Sequence, residues 1–227
     1  MQQATGELVE IYLENGRTGG RLLCPGNLTP APGQYLLAHD PASDSPLAVP
    51  VFSAGPVPGG FLVAPPIPPS WQPGVSLSLR GPLGRGFSLP TTARCVALVA
   101  LGETVARLNP LLTVALEQGA SVVLVSDLVL TDLPPEVEIQ PVAALRSIVE
   151  WADYMALDLP RESLPGLRER LGLREQTRVR YEAQALVLAP MPCGGIAECG
   201  VCAVTAHRGW KMACKDGPVF NLYDLLK

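Results

Sequence analysis

Four of the six cysteines in this 227-residue chain sit close together near its end, spaced Cys193-x5-Cys199-x2-Cys202-x11-Cys214. Thiolates are soft ligands for zinc and for iron–sulfur clusters. Three cysteines on one glycine-containing loop, with a fourth arriving later, is the arrangement of plant-type [2Fe–2S] sites. The reason is geometric. Two irons bridged by two sulfides need four thiolates, two on each iron. A compact loop wraps one side and a later turn supplies the last ligand. Gly194, Gly195 and Gly200 let the backbone bend and turn amides toward sulfur. Such amides stabilise the reduced, more negative state.

The spacing leaves other readings open. Cys199-x2-Cys202 is also a zinc-knuckle spacing, and His207 could replace one thiol. Four buried free thiols is the plainest alternative. Cys24 and Cys95 lie in apolar strand-like sequence and read as core residues. His207 reads as a surface residue. Trp210 lies between the third and fourth cysteines and reads as a shield over the cluster, with a docking surface as the alternative.

The elements that must carry these cysteines divide by texture. Most of the 24 prolines precede residue 91. There GELVEIYLEN, RLLCP, GQYLLAHD, PLAVPVFSA, GGFLVAPP and GVSLSLRG read as short strands of a small antiparallel barrel. PPIPPSWQPG (65–74) reads as a stiff connection. Beyond it, CVALVAL (95–101) and SVVLVSD (121–127) read as buried strands flanking a helix over 104–120. This is a βαβ unit with a parallel sheet. A strand is expected at 137–142, helices at 144–152 and 164–172, and a strand at 177–190. Asp153, Asp158, Glu162 and the Arg168/Arg170/Arg174 group read as solvated helix faces.

Composition narrows the function classes. Apolar residues make up 48% and charged residues 17%, with a net charge of −4. No Lys/Arg concentration tracks a nucleic-acid backbone. The opening MQQATGELVEIYLENG has no basic region followed by an apolar run, so no secretory signal is read. No apolar stretch is long enough to span a bilayer. A cytoplasmic, non-membrane protein is expected, where metal or redox chemistry suits a cysteine cluster better than disulfides. With His39 and His207 both in loop-like sequence, no hydrolase set can be assigned.

The segment MPCGGIAECGVC…MACKDGPVFNLYDL resembles the C-terminal part of the electron-transfer subunit of the dihydroorotate dehydrogenase B type, a ferredoxin-reductase-like family. APGQYLLA (31–38) and GPLGRGF (81–87) resemble two further stretches of that family. The resemblance implies a β + α/β architecture in three parts. An N-terminal antiparallel, flavin-binding-like barrel spans 1–90. An NAD-binding-like parallel α/β domain spans 91–190, and the cluster segment spans 191–227. It also implies a [2Fe–2S] cluster on Cys193, Cys199, Cys202 and Cys214, FAD on the barrel, NAD on the α/β domain, and a dihydroorotate dehydrogenase-like catalytic partner.

Departures from the family change the expectation. The first two cysteines are five residues apart here and four in the family. The family's flavin motif Arg-x-[Tyr/Phe]-Ser reads Pro50-Val51-Phe52-Ser53, without the arginine that pairs with pyrophosphate. The family's second phosphate turn is replaced by FLVAPPIPPSWQPG. What survives of the flavin site is Phe52, Ser53, Gly81 and Gly84. The glycine-rich nucleotide turn reads VALGETVARLNPLL (99–112) and keeps only Gly102. Side chains at Ala100, Leu101 and Thr104 obstruct a dinucleotide pyrophosphate there. The expectation is a redox subunit that carries electrons rather than an independent catalyst, with its NAD site lost and its FAD site impaired or absent. The alternatives are a structural or regulatory partner of a dehydrogenase with an iron–sulfur or zinc site, and a full flavin-dependent NAD(P)H reductase.

Overall fold

Proline and glycine cut the first part of the chain into six strands: β1 (Gln2–Glu14), β2 (Arg17–Leu23), β3 (Tyr35–His39), β4 (Val49–Val57), β5 (Gly60–Val63) and β6 (Val75–Leu83). In the computed structural model, which describes residues 2–130, 133–173 and 182–226, they close into a barrel in the order β1-β2-β5-β4-β3-β6. Every neighbouring pair is antiparallel. Closure leaves no sheet edge exposed. Leu8, Leu22, Leu36, Val51, Phe61, Leu77 and Leu79 fill the barrel. The proline-rich stretch 65–74 is more than a spacer. Its Ile67 and Trp71 are buried in the barrel core, and the Ile67 amide donates to the Thr18 carbonyl at 2.9 Å.

The next part alternates strand and helix: β7 (Cys95–Ala100), α1 (Asn109–Glu117), β8 (Ser121–Val125), β9 (Val137–Gln140), α2 (Leu145–Trp151), β10 (Tyr154–Pro160), α3 (Leu167–Arg170) and β11 (Glu182–Leu188). The strands from β11 to β9 pair in parallel, in the order β11-β10-β7-β8-β9. Their near-continuous apolar runs suit strands covered on both faces. The helix expected over 104–120 is shorter. Pro110 fits a helix start but not its interior, and residues 106–108 form a 3-10 turn before it. The helix expected at 164–172 is a single turn, because Gly166 is left-handed at φ 80°. Of the strand expected at 177–190, residues 177–181 lie outside the described residues, as does Arg174.

Strand β10 was not anticipated, and it corrects the reading of Asp158 as a solvated helix residue. Asp158 lies inside the apolar run YMALDLP and is 0% exposed. Its charge is matched by Arg107, 51 residues away, at 2.9 Å. Nothing in the local sequence shows such a partner. Asp153 is not simply solvated either. Its carboxylate accepts the amides of Arg94 and Cys95 at 2.9 and 3.1 Å, fixing the start of β7.

The tail contributes a hairpin, β12 (Ala203–Ala206) with β13 (Gly209–Met212), then α4 (Ala213–Asp216), β14 (Val219–Asn221) and α5 (Leu222–Leu225). Strand β14 joins the large sheet antiparallel to β11. The cysteine segment is therefore anchored to the sheet rather than appended to it. One continuous core joins Tyr35, Phe52 and Ala64 of the barrel part, Val99 and Leu157 of the sheet, and Cys202, Cys214 and Phe220 of the tail. Among the described residues no helix is long and apolar enough to cross a membrane.

Candidate metal centre

Cys193 and Cys199 lie on the glycine-rich loop, Cys202 just before β12, and Cys214 in α4. The fold brings all four together. The sulfurs of Cys202 and Cys214 are 3.3 Å apart and both residues are buried. That is near the ~3.8 Å between two thiolates on one tetrahedral metal with ~2.3 Å bonds. Cys193 and Cys199 sit on the adjoining loop, where the Cys193 thiol is influenced by Cys199 and in turn acts on Cys214. Their exposure differs: Cys199 is open to solvent and Cys193 is half-buried. Among the described residues, no three Cys, His, Asp or Glu side chains gather around one point that a single ion could occupy.

Backbone amides face these sulfurs. Burial works to raise the Cys193 thiol. It is outweighed by hydrogen bonds from Cys199 and from the amides of Ala197, Cys199 and Ile196, which bring it down to about 6. Cys214 moves the other way, up to about 12, by burial and then by Cys202 and Cys193, against one amide hydrogen bond from Ala197. The Ala197 amide thus serves the sulfurs of Cys193 and Cys214, and Ala197 adopts a left-handed φ of 63°. Thiolates this close repel one another, so all four ionise together only around compensating cations. The donor set and its amides fit an iron–sulfur group.

The loop is held from the barrel side. Tyr35 on β3 donates its hydroxyl to the Cys214 carbonyl at 3.1 Å, and Arg80 on β6 donates to the Gly194 carbonyl. The Arg85 amide donates to the Gly217 carbonyl at 2.6 Å. Sequence reasoning missed Tyr35 and Arg80, although both border stretches it singled out: Tyr35 ends the PGQY run and Arg80 precedes GPLG. Trp210 corrects an expectation. It is 71% exposed and does not shield the thiols. It stands on β13 opposite Thr205, in a two-stranded sheet with a solvent face. It lines a groove of about 520 Å³ with Arg161, Arg168, Leu225 and Leu226. His207 is exposed and its amide donates to the Asp224 carbonyl.

The residues singled out on the barrel do not form an open surface. Phe52 and Ser53 are buried on β4, and the Phe52 ring lies 5.9 Å from that of Tyr35. A Cβ at Gly81 would lie 2.6 Å from Leu36, and one at Gly84 would lie 2.4 Å from Pro218. Both glycines therefore allow close packing of protein on protein. The segment standing in place of a glycine-rich turn ties barrel to sheet, and beside it a cleft of about 570 Å³ stays open between Tyr12, Glu14 and Leu62 of the barrel and Val105, Asn109 and Leu130 of the sheet part. Arg17 pairs with Glu103, and Thr104 donates to Glu14. Arg107 donates to Asp158 and to the Pro65 carbonyl, each at 2.9 Å. Strand β4 packs against the 106–108 turn and α1.

Residues 190–226 match the family described as the iron–sulfur cluster binding domain of dihydroorotate dehydrogenase B. The cysteine segment is similar to such a domain. Over 36 residues the chain is 50% identical to the sulfhydrogenase 1 subunit gamma of Pyrococcus furiosus. That stretch spans 16% of this chain and 12% of the hydrogenase subunit. The remainder of the fold supports the cluster-binding domain on a ferredoxin-reductase-like body. An NADH-dependent reduced ferredoxin–NADP oxidoreductase, described for flavin-based electron bifurcation, superposes with a TM-score of 0.75 at 17% identity, covering 97% of this chain and 89% of that one. An Amycolatopsis cytochrome P450 reductase superposes with a TM-score of 0.64 at 15% identity, covering 82% and 70%. At such identities these likenesses establish the fold alone.

Proposed function

We propose that the chain is an iron–sulfur electron-transfer subunit, carrying a [2Fe–2S] cluster on Cys193, Cys199, Cys202 and Cys214. The observation that carries this reading is the gathering of four thiols on one segment, with the Cys202 and Cys214 sulfurs 3.3 Å apart and Cys193 acting on Cys214 from the adjoining loop. A single zinc ion gathers its ligands around one point. The spacing Cys193-x5-Cys199-x2-Cys202-x11-Cys214 and the match of residues 190–226 to an iron–sulfur cluster binding family favour two irons. When bound, such a group accepts and releases one electron at a time. The chain's own residues do the rest. Cys202 and Cys214 lie in the core, away from water, while exposed Cys199 keeps one edge near the surface. Electrons have to cross that edge to a partner.

The same reading extends to what the chain gives up. The contacts that tie residues 103–107 to the barrel part, the missing pyrophosphate arginine and the single glycine at Gly102 support a subunit whose NAD site is lost and whose FAD site is impaired. The division into 1–90, 91–190 and 191–227 then describes a scaffold that presents the cluster, and carbon chemistry belongs to a partner. A dihydroorotate dehydrogenase-like catalytic subunit is the partner this supports, in a reducing, cytoplasmic setting. The test is Cys→Ser substitution at each of the four positions, read by visible absorption after anaerobic purification. Each of Cys199→Ser, Cys202→Ser and Cys214→Ser should abolish the cluster bands. Full bands in any of these three would remove that cysteine from the ligand set.

A further inference from the structure

We propose that Arg80, on barrel strand β6, raises the reduction potential of the cluster held by the neighbouring loop. This rests on the iron–sulfur reading above. The Arg80 guanidinium donates to the Gly194 carbonyl, one residue from Cys193. The approach is close: a Cβ at Gly194 would lie 2.9 Å from the Arg80 Nη2. The left-handed Gly194, φ 65°, turns its carbonyl outward to meet it. Arg80 also lies close to Tyr35, which holds the other side of the cysteine segment. Its charge bears on the Tyr35 hydroxyl, which is itself bonded to the Cys214 carbonyl. One cation on the barrel therefore stands beside both ends of the cysteine loop.

The charge is uncompensated. The ion pairs Arg17–Glu103, Arg107–Asp158, Arg161–Glu162 and Lys211–Asp224 leave Arg80 out. Among the described residues no carboxylate lies within ion-pair distance of it. It is half-buried, where screening by salt is weaker than at the open surface. Reduction adds one electron, supplied by the partner subunit in the cell or by an electrode in the test, and adds no proton. The four-thiolate group then becomes one charge more negative. A fixed cation nearby stabilises that state more than the oxidised one, and net local charge is one of the levers on cluster potential. Arg80 is a positioning residue here, because it acts through the loop and through space without touching a reacting atom.

The test is spectroelectrochemical titration of the full chain, wild type against Arg80→Gln and Arg80→Lys, with iron and sulfide measured on each sample. Arg80→Gln should shift the equilibrium toward the oxidised form about tenfold at a fixed poise, a potential about 59 mV lower for one electron. Arg80→Lys keeps the charge and should hold the potential near wild type. Retention of cluster in Arg80→Lys with its loss in Arg80→Gln supports the same conclusion. An unchanged potential in Arg80→Gln overturns the proposal. So does an equal shift, or equal loss of cluster, in both variants, since guanidinium shape and not charge would then be at work. A wild type without iron and sulfide overturns the iron–sulfur reading itself, and the metal analysis reports that separately from the potential.

Discussion

Arg107→Met removes one half of a buried ion pair, and the structure sets what that costs. Arg107 is 5% exposed and Asp158 is 0% exposed. Arg107 supplies the hydrogen bond at Asp158 Oδ2, and among the described residues Oδ1 has no hydrogen-bonding partner. It also supplies a donor to the Pro65 carbonyl. Breaking such a pair from one side costs about 3–5 kcal/mol, because a buried charge is left alone. For a chain of this length that lowers Tm by on the order of 10 °C. Burial already raises the Asp158 carboxyl, and the charge and hydrogen bond of Arg107 pull it back down. Without Arg107 its folded-state pKa rises further above the unfolded value. A raised carboxyl costs stability above its unfolded pKa, so the deficit of the variant is full at neutral pH. It shrinks as pH falls through the raised folded-state pKa and is gone below ~4, where the carboxyl is protonated in the folded and unfolded chain alike. The double variant Arg107→Met/Asp158→Leu removes both charges and should return close to wild type. Melting curves at pH 7 and pH 5 on cluster-loaded protein read all of this. A single variant within ~1 kcal/mol of wild type, or a double variant worse than the single, would refute the reasoning.

Two further outcomes follow from the missing phosphate-binding features. The purified chain should oxidise NADH no faster than a blank with ferricyanide or a dye acceptor; a saturable NADH-dependent rate would show that Gly102 and its neighbours still admit the dinucleotide. The chain should also purify with less than stoichiometric FAD or none, and Pro50→Arg should not restore it, because the stretch 65–74 that replaces the second phosphate turn is packed into the barrel. FAD that stays bound at one per chain through gel filtration would contradict this.

The barrel was legible because its strands alternate and its turns are marked by proline and glycine. All six were placed from sequence, as were β7, β8, β9 and α2. The anchoring of the tail was not legible. Val219–Asn221 is too short to declare itself a strand, and only pairing with β11 makes it one. Strand β10 was hidden by Asp158, whose charge disguises a buried run until Arg107 is seen beside it. The clustering of the four cysteines stands out in the sequence by its spacing. The contact of Cys202 with Cys214 does not, since it depends on α4 carrying Cys214 back against Cys202. Arg80 and Tyr35 were missed for a similar reason: their contacts with the loop span 114 and 179 residues of sequence. Trp210 was misjudged because sequence does not show which face of a two-stranded hairpin is covered.

The measurement that bears most directly on the central claim is iron, acid-labile sulfide and zinc analysis of the anaerobically purified chain, taken with its visible spectrum. Two irons and two sulfides per chain, with a brown protein that bleaches on reduction by a single electron, is the result this account predicts. A colourless protein with one zinc per chain and no sulfide would contradict it.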